Sequence, residues 1–349
     1  MKVLLIQPPV GHQIGYDRLA RVEPLGLENL AGALSGHEVR LADLRFHDDL
    51  DRLLRTFAPD VCGLSCSFTM GVKKTIECAR RIKRLKPDTI VLVGGVHPSI
   101  APTDFRDEAV DILAKGEGES LLTELLTALE HGRDPESVRG LYLNSDGHQV
   151  FTGRRPLIED LDSLPFPRRD LSAVPAKTYH FNFWRPLSLV ETGRGCPYRC
   201  EFCSVWRFYQ HTNRHKSAER VVEEIAQAPG RFILFTDDNF LDDMPRTRRI
   251  AELLSDKGIE KRYSLQARAD AIAANPGLID AWYDVGLRHI FVGFEAASDQ
   301  RLAELHKETT LQTTDEAMAV LLRHPDLSVT GSFIVDPGFT AEDFEHLRR

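Results

Sequence analysis

The chain has 349 residues, which at roughly 100–200 per domain gives about two domains. Hydrophobic residues make up 42% and charged residues 28%, a globular balance that excludes a disordered or low-complexity chain. The formal charge of −8 excludes the broad basic surface of a general nucleic-acid binder.

The opening apolar run is short and Pro8-Pro9 follows it, so it reads as a buried strand rather than a signal peptide. No run approaches the roughly 18 apolar residues of a membrane span, and the expectation is a soluble, cytoplasmic protein. Up to about residue 130, short apolar runs alternate with helical patterns. Strands are predicted at Val3–Gln7, Glu38–Ala42, Val61–Ser65, Ile90–Val93 and Ile112–Ala114, with helices starting near Leu25, Asp48, Met70, Thr103 and Glu119. Runs such as VLLIQ and IVLVGG are apolar on both faces, as central parallel strands are when helices cover both sides. The expected fold is α/β, beginning with a doubly wound Rossmann or flavodoxin-like sheet that binds ligands at the carboxyl ends of its strands. The basic cluster Arg80, Arg81, Lys83, Arg84 and Lys86 sits on one predicted helix and reads as a solvated face.

The loops after these strands are Pro8-Pro9, Ser65-Cys66-Ser67-Phe68-Thr69, Gly94-Gly95-Val96-His97-Pro98 and Gly116-Glu117-Gly118-Glu119. Small residues there let the backbone approach a large ligand. None forms a G-x-G-x-x-G or a P-loop, so a dinucleotide or P-loop nucleotide is not supported. Ser65-Cys66-Ser67 followed by Gly94-Gly95 resembles the tail-binding half of cobalamin domains. That resemblance implies cobalamin contacts at Pro8, Ser65, Ser67, Gly94, Gly95, His97, Glu117 and Gly118. The other half of that signature, Asp-x-His-x-x-Gly, is incomplete: Val10-Gly11-His12-Gln13-Ile14-Gly15 lacks the aspartate, and His12 reads as a loop residue.

Residues 131–186 read as a connector. Gly140–Asn144 and Gln149–Thr152 around Ser145-Asp146-Gly147 predict a hairpin with an Asp-Gly turn. The proline-punctuated Leu161–Arg169 resembles the linker between cobalamin and radical S-adenosylmethionine (SAM) domains.

Cys196, Cys200 and Cys203 form a C-x3-C-x2-C cluster after the predicted strand Leu187–Val190. Three thiolates packed this closely can hold three irons of a [4Fe-4S] cubane and leave the fourth without a protein ligand. A structural zinc site would want four ligands, usually as paired C-x2-C units; His211 and His215 could complete one. Cys62, Cys66 and Cys78 show no paired spacing and read as small buried hydrophobes.

The cluster, with Phe202 directly before the third cysteine, resembles the radical SAM superfamily, and the resemblance runs from Leu187 to the end. It implies SAM contacts at Phe202, at Asp237-Asp238-Asn239 after the strand Phe232–Thr236, at Gln266 and Arg268 in the third strand, and at Glu295 ending the fourth. A fifth strand, Thr330–Val335, lies beside the adenine in such proteins. Predicted helices at Ala218–Ala226, Arg246–Leu254 and Ala317–Leu322 separate these strands, giving a partial (β/α)6 barrel with its site at the carboxyl ends. Five strands precede Arg349 where the superfamily has six, so a C-terminal truncation is expected. The expected organisation is 1–130 cobalamin-binding, 131–186 linker and 187–349 radical SAM.

This combination resembles the cobalamin-dependent radical SAM enzymes, with the stretch from Gly193 to Tyr209 nearest to hopanoid C-3 methylases. The resemblance implies a [4Fe-4S] cluster, SAM and methylcobalamin as cofactors. It also implies cleavage of SAM to a 5′-deoxyadenosyl radical, methylation of an unactivated carbon of a small-molecule or lipid substrate, and an electron donor such as flavodoxin or ferredoxin. Phe202, Trp206, Phe208 and Tyr209 could wall the cavity or simply pack a core. Two alternatives stay open: a non-methylating cobalamin radical SAM cyclase or rearrangement enzyme, and a non-catalytic cobalamin or iron–sulfur binding protein.

Overall fold

The first strand, β1 (Lys2–Gln7), has four consecutive fully buried residues, Val3 to Ile6, because helices cover both faces of the sheet it enters. The computed structural model describes residues 1–9, 19–145 and 147–348; His12 and Asp146 lie outside them. Two units are resolved, Met1–Phe183 and Trp184–Arg349.

In the first unit, β2 (Ala20–Arg21), β3 (Glu38–Asp43), β4 (Val61–Ser65), β5 (Ile90–Gly94), β6 (Ile112–Ala114), β7 (Leu141–Ser145), β8 (His148–Phe151) and β9 (His180–Phe181) follow β1. The main sheet runs β3-β1-β4-β5-β6-β7-β8, parallel as far as β6. Counting the parallel strands in chain order gives 2-1-3-4-5, the flavodoxin-like winding, in which the strand order reverses between β1 and β4 and opens a crevice at their carboxyl ends. Apolar clusters fill both faces of the sheet, one centred on Leu4, Leu64 and Val93, the other on Leu5, Leu92 and Leu125. The basic helix Val72–Leu85 shows a paired face rather than a bare one: Arg80 meets Asp107, Arg81 meets Asp48 and Asp51, and Lys83 meets Asp111.

Two expectations change here. Instead of a helix starting near Thr103, the chain forms a short helix Val96–Ile100 and a single 3-10 turn Pro102–Phe105; Pro102 cannot continue the preceding hydrogen-bond ladder. The segment 131–183 is also more than a connector. Its hairpin β7–β8 extends the main sheet antiparallel to β6. Beyond the hairpin, β9 pairs with β2, Arg169 pairs with Glu23, and the Tyr179 hydroxyl donates to Asp43.

In the second unit, β10 (Leu187–Val190), β13 (Phe232–Phe235), β14 (Arg262–Arg268), β15 (Leu287–Glu295) and β16 (Ser328–Phe333) form one parallel sheet in chain order, with β11 (Gly193–Gly195) and β12 (Asn213–His215) as a separate antiparallel pair. Sequential parallel order with intervening helices is the wall of a (β/α) barrel, here five strands with β10 and β16 at the edges. Side-chain caps start the intervening helices. Ser217 accepts from Arg220 N, Asp243 from Arg246 N, Ser298 from Arg301 N and Thr310 from Thr313 N. The core centres on Trp282, against which Phe235, Phe240 and Tyr263 pack edge-on. Among the described residues no helix is long and apolar enough to cross a membrane.

Candidate active site

The cysteine loop begins where β11 pairs with β12, with Gly195 opposite Asn213. Gly195 has φ +95°, and a Cβ there would lie 2.0 Å from the Thr212 carbonyl oxygen, so only glycine lets the chain turn into Cys196. Several bonds then fix the loop. Trp206 Nε1 donates to the Cys200 carbonyl at 3.0 Å, and Glu201 N donates to the Leu305 carbonyl at 3.0 Å. Arg268 Nη1 lies 3.8 Å from the Cys200 sulfur. All six cysteines are free thiols; Cys200 is buried, Cys196 and Cys203 half-buried. Burial pushes the Cys196 thiol up to about 11, with the Asp238 charge adding to it, and burial raises Cys203 as well. Thiolates here need a cationic group to offset that cost, and a cluster's irons supply one.

The sequence's zinc alternative does not assemble. His211 packs on Trp206 at 4.8 Å between ring centroids, and His215 Nε2 pairs with Asp242. Among the described residues no three His, Cys, Asp or Glu side chains are grouped to hold a metal ion, the loop's own three cysteines included, so these thiols must draw together to hold a cluster. Cys62, Cys66 and Cys78 are buried in the first unit, as expected of small hydrophobes.

Asp237, Asp238 and Asn239 follow β13 but part company. Asp237 is 5% exposed, and both its oxygens accept from Thr192, from the amide at 3.0 Å and the hydroxyl at 2.6 Å. Burial raises its pKa to about 6 against those bonds. It clamps the strand before the cysteine loop, with Arg246 donating to the same Thr192. Asp238 instead keeps solvent access, yet the protein around it and the charges of Asp237 and Glu191 push it up to about 7. Its charge is felt at both Cys196 and Cys203. Asn239 is 4% exposed, and its Oδ1 has no hydrogen-bond partner among the described residues. A carboxylate whose charge reaches the cysteines, followed in sequence by an unpartnered amide oxygen, has the chemistry to receive an ammonium group.

Arg268, at the end of β14, is held by Asp270 through Nε and Nη2, and its guanidinium carbon stands 3.5 Å from the centroid of the Tyr198 ring. Gln266 sits two residues earlier, half-buried, with its carbonyl accepting from Phe240 N. Glu295 ends β15 in a left-handed conformation, φ +69°, and pairs with buried Lys307 at 3.1 Å. Phe202 is half exposed, with the Lys307 ammonium 6.0 Å from its ring centroid. Phe208 and Tyr209 pack edge-on against each other. Sequence reading missed Lys307, Asp270, Thr192 and Arg246. Lys307, Thr192 and Arg246 act through partners distant in sequence, which no local spacing signals, whereas Asp270 stands two residues from Arg268 and was within reach of a local reading.

In the first unit, β4 and β5 bring Ser65 level with Gly94, uniting the two halves of the serine–glycine pattern at the crevice, with Pro8 buried at the end of β1. Ser67 is exposed. Gly95 has φ +121°, and a Cβ would come 2.6 Å from the Cys66 carbonyl oxygen. At Gly94, by contrast, a Cβ meets only the Ala114 methyl at 3.6 Å. Gly116 N donates to Ser99 Oγ, which donates to the Gly95 carbonyl, so these two loops form one rim. Two expected contacts are otherwise engaged. Glu117 accepts from Ile158 N at 2.7 Å. His97 is bonded through both ring nitrogens, Nε2 to Asp104 at 2.8 Å and Nδ1 to the Thr69 hydroxyl at 3.3 Å. Gly118 packs under Leu30, where a Cβ would lie 2.8 Å from a Leu30 methyl.

Comparison with known proteins accounts for both units. Residues 14–126 match the B12 binding domain and residues 190–349 the radical SAM superfamily. The hopanoid C-3 methylase of Methylococcus capsulatus is 31% identical over all of this chain and 67% of its own length. An anaerobic magnesium-protoporphyrin IX monomethyl ester cyclase of Rubrivivax gelatinosus is 28% identical over 99% of this chain and 64% of its own. The fold matches the cobalamin-dependent SAM radical enzyme OxsB, solved with aqua-cobalamin and SAM bound, at a TM-score of 0.80 and 20% identity, over 99% of this chain but 51% of that one. With both domains in order and a relative 31% identical along the whole of this chain, the chain belongs to the cobalamin-dependent radical SAM family, whose cofactors are a [4Fe-4S] cluster, SAM and cobalamin.

Proposed function

We propose that this protein is a C-methyltransferase that acts on an unactivated carbon, with a hopanoid-like lipid as its substrate. The observation that carries the reading is the set of groups that follow β10 and β13: three unpaired thiols on a loop fixed by hydrogen bonds, the Asp238 charge that acts on Cys196 and Cys203, and the orphaned oxygen of the next residue, Asn239. In this reading Cys196, Cys200 and Cys203 hold the cluster, and Asp238 and Asn239 receive the SAM ammonium. Arg268, kept rigid by Asp270 and Tyr198, orients the SAM carboxylate and ribose, while Glu295 faces the sugar hydroxyls. Phe202 and Gln266 border the same ligand. In the first unit Pro8, Ser65, Ser67 and the Gly94-Gly95 rim receive cobalamin, with His97 and Gly118 shaping that rim. When bound, the cluster supplies one electron to SAM and cobalamin carries the methyl group, which is chemistry these side chains cannot perform. A flavodoxin or ferredoxin supplies the electrons, and the cytoplasm is the expected compartment.

The test is anaerobic reconstitution with iron, sulfide, cobalamin and SAM under reductant. Formation of both 5′-deoxyadenosine and S-adenosylhomocysteine, with a methylated lipid, is expected. Cys200→Ala should lose the cluster's absorbance near 400 nm and all SAM cleavage while the first unit stays folded; retained cleavage refutes the assignment. 5′-Deoxyadenosine without S-adenosylhomocysteine would instead favour a non-methylating reaction, the kind the Rubrivivax relative's name describes.

A further inference from the structure

Lys307 belongs to no motif, yet Arg268, Glu295 and Phe202 all meet it. It is 5% exposed and stands between His306 and Glu308, both left-handed at φ 51° and 54°. Each such non-glycine residue costs on the order of 1 kcal/mol, and paired outliers persist only where the surroundings hold them. Three bonds do so. Arg268 Nη2 donates to the Lys307 carbonyl at 2.5 Å, Lys307 N donates to the Leu302 carbonyl at 3.0 Å, and Glu201 N, within the cysteine loop, donates to the Leu305 carbonyl. The side chain is thereby turned inward. Its ammonium donates to Glu295 Oε1 at 3.1 Å and lies 6.0 Å from the centroid of Phe202, the residue before Cys203. The second oxygen of Glu295 accepts from Ser332 Oγ at 3.3 Å. A buried ion pair contributes little net stability, because desolvation of both ions offsets their attraction. Stability alone therefore does not account for this pair at this place.

We infer that Lys307 is a positioning residue of the radical SAM site: its ammonium, oriented by Glu295, is a fixed positive charge on the Phe202–Cys203 side of the cysteine loop, and its backbone anchors Arg268. The inference rests on the reading that this loop holds an iron–sulfur cluster. The potential of such a cluster follows the charge and hydrogen bonding around it. A fixed cation at its edge favours the reduced form, so removing it should shift the midpoint to more negative values.

The experiment is a potentiometric titration of the reconstituted full chain, without SAM, followed by the electron paramagnetic resonance of the reduced cluster. The variants are Lys307→Arg and Lys307→Gln, which removes the ammonium and keeps a donor to Glu295. Iron and sulfide per chain should match the unaltered protein in both. The midpoint should move negative in Lys307→Gln and stay near the unaltered value in Lys307→Arg. The double variant Lys307→Met with Glu295→Gln, which removes both charges together, should move the midpoint less than Lys307→Gln does. An unchanged midpoint in Lys307→Gln, or an equal displacement in Lys307→Arg, overturns the inference; should Lys307→Gln fail to fold, Lys307→Met carries the same expectation. An unaltered chain that takes up no iron and sulfide instead overturns the reading of the cysteine loop, a failure visible before any Lys307 variant is made.

Discussion

Replacing Gly195 by alanine tests whether backbone geometry, rather than the thiols alone, makes the cysteine loop. At φ +95° an alanine costs roughly 1–2 kcal/mol in conformation. Its Cβ would also stand 2.0 Å from the Thr212 carbonyl oxygen and 3.4 Å from Tyr209 Cβ, where the first contact needs more than an ångström of relief. That oxygen belongs to the backbone beside the Gly195–Asn213 pair, so relief moves β12 against β11 and strains or breaks one or two hydrogen bonds, at about 1 kcal/mol each. The total is about 2–4 kcal/mol, borne by the second unit. In a unit of this size 1 kcal/mol shifts Tm by about 2–4 °C, so calorimetry should show its transition about 4–16 °C lower with the first unit's unchanged. Iron and sulfide uptake after anaerobic reconstitution should fall sharply. A Tm within about 2 °C of the unaltered protein, together with full cluster content, would refute the reasoning.

Gly94→Ala makes the opposite case: its Cβ meets only the Ala114 methyl at 3.6 Å, so Tm should hold within about 2 °C while cobalamin affinity falls, measured by spectrophotometric titration. Equal cobalamin binding would remove Gly94 from the crevice. Asp238, pushed up to about 7, is protonated below that pH and anionic above it, so SAM affinity should tighten as pH rises through 7. Asp238→Asn should bind SAM about tenfold more weakly at pH 8 and lose this dependence, read by SAM titration of the reconstituted chain. Glu28 in the first unit is 1% exposed, and burial first, then the Glu23 charge, pushes it up to about 8. Unfolding lets it ionise from about 4.5 upward, so the stability held below that pH is lost progressively up to about pH 8. Glu28→Gln should flatten the first unit's Tm between pH 5 and 8; an unchanged slope would show that Glu28 does not cause it.

Local features were legible in the sequence. The C-x3-C-x2-C spacing is carried by eight consecutive residues, and the strands of the first sheet betray themselves by being apolar on both faces. Ser65 and Gly94 were paired by pattern and are paired by register. The parts that escaped are those set by distant partners. Nothing near Asp237 distinguishes it from Asp238, but Thr192, 45 positions away, occupies both oxygens of the first and leaves the second open. Glu117 was read by its position at a strand end, whereas the amide of Ile158, 41 residues on, captures its carboxylate. Lys307 is invisible in isolation because its burial depends on a backbone conformation that its flanking residues do not favour. The Thr103 helix failed for a local reason, proline spacing, that could have been read.

The edges of the first sheet bear on how this protein can be divided. β7 sheathes the short β6 on one flank, and on the other Ser172 bridges to Leu41 of β3, so neither flank of the parallel core offers its full row of amides to a stranger. A fragment cut after residue 130 would bare β6, inviting self-association, and would take Tyr179 from Asp43 and Arg169 from Glu23. One carried through Phe183 keeps the hairpin on β6 and the bridge to β3, and is the natural piece in which to study the B12 half alone.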